Sequence, residues 1–415
     1  MTFEAAVAWI GDQGRFGIKL GLDRMNALMD ALGHPERGLR GALIAGTNGK
    51  GSTAAVLASI LQADGMCTGL MPSPHLHSYT ERIQTNLRPV TEAEFAQAVK
   101  RMQPVLAGMP PDLGTPTEFE ILIGVAFDFL GRRVDRLVCE VGMGGRLDAT
   151  NVLDLGLAVV TNVSLDHQQY LGSSVEAIAA EKAGIIKRGN HVLTGCDAPA
   201  LAVVEQAAAK ARAELWRLGN EIEFEGVSRA WDGSTLAVRG PGFEYHDLRL
   251  PLVGPFQVEN AALAVAAAHV LGASPESVAR GIADVRWPAR VEVVSSAPRV
   301  VIDGAHNPAA IKRLVEAIQP LRGGEPLAIV FGVMEDHNPT AQLDELRQLE
   351  PQTLITTSAN SPRAADPVQL ADLWGSGALV VPIPAEALLA AKAQVGPSGM
   401  VLVCGSLYLA GEIYP

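Results

Sequence analysis

The sequence predicts a two-domain α/β protein: a first domain built on a mostly parallel sheet with a small antiparallel excursion, then a smaller α/β domain. Three observations carry this prediction. At 415 residues the chain exceeds the size at which one hydrophobic core stops growing, roughly 250–300 residues. Short runs rich in Val, Ile and Leu alternate with Ala-rich helical stretches, as in a parallel sheet joined by crossover helices. A glycine-rich run stands where a strand gives way to a helix, at residues 46–52.

The strands of the first domain fall at 43–45, 136–141, 157–162 and 190–194, with a helix over 52–62 and another over 175–186. The texture changes between 221 and 252, where Phe224, Val227, Leu236, Val238 and Tyr245 lie among Gly and Asp, and this marks the antiparallel excursion. After Trp287-Pro288-Ala289-Arg290 the alternation restarts, with strands at 299–303, 327–333, 353–357 and 400–404 and a helix over 308–318. The predicted domains are therefore 1–287 and 288–415.

Composition removes several function classes. A formal charge of −12 and the lack of Lys/Arg clusters exclude a nucleic-acid surface, so an anionic ligand must be met locally. Cys67, Cys139, Cys196 and Cys404 stand far apart without metal-ligand spacing and read as small buried apolar residues. The first ten residues carry Glu4 and no basic run, unlike a signal peptide, and no apolar run approaches the roughly 20 residues that cross a bilayer. A cytoplasmic protein is expected.

The run Gly46-Thr47-Asn48-Gly49-Lys50-Gly51-Ser52 follows an apolar strand and opens an Ala-rich helix. Its glycines let backbone N–H groups approach phosphate oxygens, the helix dipole favours negative charge, and Lys50 reaches the terminal phosphates as a point charge. It departs from the general P-loop spacing, with Ile44 at the first glycine position and Gly51 after the lysine. Such a loop serves kinases, motors, switches and ligases alike. Glu140 ends an apolar run at the carboxyl edge of the sheet, where ligands bind; a helix cap or a loop ion pair would account for it as well.

Further motifs occur in a fixed order: Phe16-Gly17-Ile18-Lys19-Leu20-Gly21-Leu22-Asp23-Arg24-Met25, the glycine loop, Ser73-Pro74-His75-Leu76, Glu81-Arg82-Ile83, residues 117–120 and the run from Glu140 through Gly142-Met143-Gly144-Gly145 to Asn151. Leu165-Asp166-His167, Glu181-Lys182-Ala183-Gly184-Ile185, Asp303-Gly304-Ala305-His306-Asn307-Pro308 and Gly405-Ser406-Leu407-Tyr408-Leu409 follow. Together they span residues 16–409, and the chain resembles the folylpolyglutamate synthase and dihydrofolate synthase family, a branch of the Mur-type ligases. The Mur-type loop is Gly-Thr-x-Gly-Lys, which removes the irregularity at Ile44, and this branch carries Gly-Ser after the lysine.

The resemblance implies a P-loop ATPase domain followed by a Rossmann-like C-terminal domain, and an enzyme of folate biosynthesis and polyglutamylation. Its reaction joins L-glutamate to dihydropteroate and/or (tetrahydro)folate at the expense of ATP, by way of an acyl phosphate, in a monomer that binds neither nucleic acid nor membrane. It also implies site roles: magnesium ligands at Ser73, Glu140 and His167, with Lys182 carbamylated by CO2 to support a second Mg2+. Asn260, Arg290, Asp303 and His306 fall at nucleotide-contacting positions. Thr117, Phe119, Asp148 and Ser406 fall at substrate positions, with Asp148 bidentate to a pterin edge and Phe119 packed on its ring. Lys50, His167, Lys182 and Arg290 are the expected catalytic set. Read without the resemblance, His167 is a structural histidine, Lys182 a solvated helical lysine, Phe119 plain core, and the segment at 303–306 a strand-to-helix turn. A Mur-type ligase acting on a cell-wall nucleotide precursor and a P-loop switch are the alternative functions.

Overall fold

The computed structural model describes residues 1–13 and 20–414, so the start of the motif at Phe16, through Lys19, lies outside the described residues. Gly41–Ala45 (β1), an all-apolar five-residue run, is buried along its whole length, as a strand covered on both faces must be. It lies at the middle of an eight-stranded sheet with Thr68–Met71 (β2), Gln84–Thr85 (β3), Arg88–Pro89 (β4), Arg136–Glu140 (β5), Gly156–Val160 (β6), His191–Thr194 (β7) and Glu214–Arg217 (β8), in the order β4-β3-β2-β5-β1-β6-β7-β8. β1 pairs in parallel with β5 on one side and β6 on the other, and only the β2–β3–β4 margin is antiparallel. The chain thus turns both ways from β1, and the crevice beyond the carboxyl ends of β1, β5 and β6 is the place where such sheets bind ligands.

Helices Phe3–Gln13 (α1), Asp23–Leu32 (α2), Lys50–Ala63 (α3), Glu92–Ala107 (α4) and Glu118–Leu130 (α5) precede β5. Gln168–Leu171 (α6), Val175–Ala183 (α7), Ala200–Ala211 (α8), Pro255–Val270 (α9) and Pro275–Asp284 (α10) follow it. The helix expected over 175–186 stops at Ala183. Gly184 packs against Arg146, and the next amides turn back on Glu181 and Lys182 instead of extending the helix. Cys139, Cys196 and Cys404 are buried as expected; Cys67 is half-buried, its thiol on the Arg133 carbonyl.

α10 crosses α3 closely, and a Cβ on Gly281 would fall 2.7 Å from the Ile60 nitrogen and nearer still to its Cα. Ser59 Oγ donates to the Gly281 carbonyl at 2.6 Å in the same crossing. Neither backbone can yield, so Gly281→Ala is expected to lower stability by about 2 kcal/mol despite alanine's better helix propensity. A denaturant midpoint equal to or above that of the parent protein would refute this packing argument.

Glu223–Ala230 (β9), Gly233–Gly240 (β10) and Phe243–Leu250 (β11) form a separate sheet, joined by two-residue connections that only antiparallel neighbours permit. This is the excursion read from the sequence. A six-stranded sheet closes the chain: Glu292–Ser296 (β12), Arg299–Ile302 (β13), Leu327–Phe331 (β14), Thr353–Thr356 (β15), Ala378–Val380 (β16) and Met400–Cys404 (β17), in the order β12-β13-β17-β14-β15-β16. All its pairings are parallel except β12–β13. Pro308–Arg322 (α11), Pro339–Arg347 (α12), Pro367–Trp374 (α13), Pro384–Val395 (α14) and Leu407–Ile413 (α15) accompany it.

Two contact units result. One comprises Met1–Glu225, Ala237–Leu248 and Glu259–Val285; the other comprises Gly226–Leu236, Arg249–Val258 and Arg286–Pro415. Among the described residues no helix is long and apolar enough to cross a membrane.

Candidate active site

The glycine loop leaves β1 at its carboxyl end and delivers Lys50 to the first turn of α3. Gly46 has φ 152°, and a Cβ there would overlap Thr161 Oγ1. Gly49 has φ 83°, and a Cβ there would overlap the amide oxygen of Asn260. Both positions therefore need glycine for conformation and for space together. The second brings buried Asn260, on α9, against the loop.

The loop is braced from the end of β6. Thr161 Oγ1 donates to the Asn48 carbonyl at 2.7 Å and Asn162 Nδ2 to the same oxygen at 2.9 Å, while the Asn48 amide donates to Asn162 Oδ1 at 3.0 Å. The Thr47 amide donates to the Asn162 carbonyl at 2.8 Å, and Thr47 Oγ1 joins the Ser164 backbone. Thr161 and Asn162 were not among the expected site residues. The signal for them was present, since Asn162 closes its apolar run at the same sheet edge used to single out Glu140. Lys50 folds back over the loop, Nζ donating to the Gly46 and Thr47 carbonyls at 3.1 Å each, which places the ammonium over the loop mouth.

Lys182 is buried at the end of α7, with Nζ donating to the Gly46 carbonyl at 2.8 Å. Burial first, and then the Lys50 ammonium, push its pKa down to about 7, against the pull of Asp166. A lysine on a helix thus becomes a partly neutral amine beside the phosphate loop. Its solvated reading is ruled out. His167 opens α6 in the left-handed region at φ 48°, its amide on Asp166 Oδ1 at 2.9 Å. Glu140 is buried next to Ile44 across the β1–β5 pairing and accepts the Ser73 amide at 3.0 Å. The chain therefore gathers Ser73, Glu140, Lys50, Lys182 and Asn260 around one loop.

Next to Ser73 and Glu140 lies a pocket whose other walls include Phe119, Leu122 and Arg82. Phe119 is half-buried on the core, and a Cβ on Gly142 would lie 2.5 Å from its ring, so Gly142 packs directly against that ring. Two expectations are corrected here. Asp148 does not present an open carboxylate edge: Oδ1 accepts from the Thr150 amide and hydroxyl, and Oδ2 from the Met143 amide at 2.9 Å. Its burial raises its pKa, and its work is to shape the loop. Thr117 caps α5: its hydroxyl accepts the Glu120 amide and its own amide donates to Glu120 Oε2 at 2.7 Å, a reciprocal box. Arg24 locks that carboxylate in turn at 3.0 Å.

His75, Glu81 and Arg82, which the sequence reading quoted without a role, stand beside Ser73 and shape the turn that follows it. Glu81 accepts the amides of Leu76, His77 and Ser78, fixing the turn after Ser73. Arg82 Nε donates to His75 Nδ1 at 2.8 Å. Burial and then the Arg82 charge push the His75 pKa down to about 4, so the ring is neutral and accepts.

In the second unit, Asp303 and Ser406 follow the adjacent parallel strands β13 and β17 at their carboxyl ends. Asp303 accepts the Ala305 amide at 2.7 Å and the Val291 amide at 2.9 Å; burial raises its pKa against the opposing charge of Arg290. Arg290 NH1 donates to the Ala289 carbonyl, and a Cβ on Gly304 would lie 2.7 Å from that nitrogen and from Leu407. Ser406 caps α15 through the Tyr408 amide, and His306 Nδ1 lies 3.1 Å from the Gly304 carbonyl. Arg290, Asp303, His306 and Ser406 thus converge at one sheet edge.

A parallel sheet with a Gly-Thr-Asn-Gly-Lys loop, followed by a second parallel α/β sheet, is the arrangement of a Mur-type ligase. Residues 44–268 match the Mur ligase middle domain, and residues 289–407 match the Mur ligase, glutamate ligase domain. The dihydrofolate synthase/folylpolyglutamate synthase of Bacillus subtilis is 33% identical, over 99% of this chain and 98% of its own. The folylpolyglutamate synthase of Lacticaseibacillus casei is 33% identical, over 100% and 98%. The structure of Mycobacterium tuberculosis folylpolyglutamate synthase complexed with ADP and AMPPCP superposes with a TM-score of 0.93 at 32% identity, over 99% and 98% of the two chains. E. coli FolC in complex with DHPP and ADP superposes with a TM-score of 0.91 at 30% identity, over 100% and 97%. The chain belongs to the folylpolyglutamate synthase/dihydrofolate synthase family of Mur ligases.

Proposed function

We propose that this protein uses ATP to add L-glutamate to dihydropteroate and/or (tetrahydro)folate, releasing ADP and phosphate. The observation that carries the reading is the braced loop at 46–52, with Lys50 over its mouth and Lys182, Glu140 and Ser73 beside it. The complexes with ADP and AMPPCP among its structural relatives support the nucleotide. The 1–287 domain carries the phosphate loop and takes the acid, and the 288–415 domain adds nucleotide contacts and holds most of the amino acid.

An amide cannot form from a carboxylate and an amine at neutral pH until the carboxylate is activated. Lys50 and the loop amides hold the terminal phosphates while a carboxylate oxygen of the acid attacks the γ-phosphorus and the bond to the β-phosphate oxygen breaks, giving an acyl phosphate and ADP. The glutamate amine then attacks the acyl carbon, loses a proton, and phosphate departs from the tetrahedral intermediate. Arg290, Asp303, His306 and Asn260 contribute nucleotide contacts in this reading. Ser406 and Phe119 contribute to the substrate pockets directly, Thr117 through the helix it caps and Asp148 through the loop it shapes.

The donors near the loop fit magnesium. Ser73 and Glu140 supply hard oxygens at adjoining positions and a carbamate on Lys182 would add a carboxylate-like pair, with His167 joining them only through the family resemblance. Among the described residues no group of three His, Cys, Asp or Glu side chains is placed to hold a metal, and a magnesium ion here would draw on the Ser73 hydroxyl, the Glu140 carboxylate, a Lys182 carbamate and the phosphates. Bound magnesium neutralises charge on the transferring phosphoryl group.

The test is ADP release with dihydropteroate or tetrahydrofolate as acceptor, with products separated by mass. The expected result is release that requires acid, L-glutamate and Mg2+ together and yields an acid heavier by one glutamyl group. Release indifferent to both acid and amine would overturn the reading.

A further inference from the structure

The last carbonyls of a helix have no partner inside it, and at the end of α7 another stretch of chain takes them. The Arg146 amide donates to the Glu181 carbonyl at 2.7 Å, and Asn151 Nδ2 donates to the Gly184 carbonyl at 3.1 Å. Gly145 lies so close that a Cβ there would fall 2.7 Å from the Glu181 carbonyl oxygen and 2.9 Å from that of Lys182. The residues flanking Lys182 are thus docked on the 142–151 loop, whose first residue, Gly142, packs on the Phe119 ring.

Two side chains tie this loop to the helix end, and they differ in strength. Arg146 meets the Glu181 carboxylate at 2.7 Å, but its side chain is 58% exposed, and an ion pair so well hydrated contributes little. Asn151 is buried, and its amide is fully used. Nδ2 donates to the Arg146 carbonyl at 3.0 Å as well as to Gly184, while Oδ1 accepts from Lys187 Nζ at 2.8 Å. The same ammonium donates to the Asn151 carbonyl at 2.8 Å. An ammonium only donates and a carbonyl only accepts, so the amide has one orientation here. Asn151 therefore holds the loop and the end of α7 at a fixed spacing. From that end the long, buried side chain of Lys182 reaches the Gly46 carbonyl at 2.8 Å, and a shift of about 1 Å would break a bond of this length.

Resting on the ligase reading above, we propose that Asn151 is a positioning residue for ligation: locked by Lys187, it fixes the end of α7 so that Lys182 stands against the phosphate loop. In this role Asn151 acts through Lys182. Its loss therefore belongs in kcat, and it has nothing left to act on once Lys182 is gone.

Asn151→Asp tests this, since it keeps the shape and the Lys187 contact but sets a carboxylate oxygen against the two carbonyls that the amide serves. Ligation by the full chain is expected to fall about 20-fold in kcat, with the KM of the acid and the affinity for ADP within about two-fold. In a Lys182→Ala background the same substitution should cost less than about two-fold. A second readout needs no reaction. Labelling of the nucleotide-free protein by acetic anhydride, mapped by mass, should rise about ten-fold at Lys182 in Asn151→Asp and change by less than about two-fold at Lys50. Binding of ADP certifies the fold of each variant. Should Asn151→Asp not fold, Lys187→Met, which only unlocks the amide, carries the test, with a loss of about five-fold in kcat that disappears in the Lys182→Ala background. Unchanged kcat, unchanged labelling of Lys182, or a loss that multiplies in full with that of Lys182→Ala would each overturn the proposal. If the parent ligates glutamate to neither acid, the ligase reading fails, and the labelling alone decides whether Asn151 holds Lys182.

Discussion

Lys50→Ala is expected to reduce ATP-dependent ligation by about 10³-fold, roughly 4 kcal/mol of transition-state stabilisation. The ammonium already sits over the loop mouth on two backbone carbonyls, so it is positioned before the nucleotide arrives and does not have to be recruited. Charge builds on the β–γ bridge as the phosphoryl group leaves, and a fixed cation there acts on the transition state more than on bound ATP. The loss should therefore appear in kcat, with ADP affinity falling much less. Lys50→Arg should not restore the rate, because its planar fork cannot replace a compact point charge in this loop. Ligation by Lys50→Ala within ten-fold of the parent would remove the loop from the chemistry.

Lys182→Ala is expected to cost about 10²- to 10³-fold in ligation, and added formate or acetate should restore part of it by supplying the missing oxygens. The basis is a lysine that is buried, donates to the loop, and has its pKa pushed down to about 7. Carbamylation needs the free amine. With that pKa roughly one-tenth of the lysine is neutral at pH 6 and about nine-tenths at pH 8, so CO2 uptake should rise with pH through that window. A 13C signal from labelled bicarbonate should appear in the parent protein and vanish in Lys182→Ala. Full activity in the variant, or no carboxylate rescue and no labelled signal, would discard the carbamate.

The central strands were legible because a strand covered on both faces reads as an unbroken apolar run. β1, β5, β6 and β17 are each of this kind, and each was placed within two residues. β8 and β16 lie at sheet edges and were missed, since half-exposed residues such as those of Glu214–Arg217 carry no such run. β2 was hidden by its shortness and by Gly69. At the site, local chemistry was readable and long-range chemistry was not. The loop announces itself in seven consecutive residues, but Asn162 meets it from 114 positions away. Asp148 carried the opposite lesson. A carboxylate in a glycine-rich stretch invites a ligand contact, whereas its two oxygens are consumed by amides and a hydroxyl within five residues of it.

The bracing from the end of β6 bears on how readily nucleotide is accepted. A loop whose amides and carbonyls wandered would have to be frozen by each incoming triphosphate, and the cost of ordering several residues would be subtracted from every binding event. Here Asn48 is held at both its amide and its carbonyl and Thr47 at its amide and hydroxyl, all by groups on the neighbouring strand end. The rigidity is therefore supplied by folding, once. Association and release of nucleotide can then be fast and repeatable, which is what an enzyme that must exchange ADP for ATP at every turnover requires.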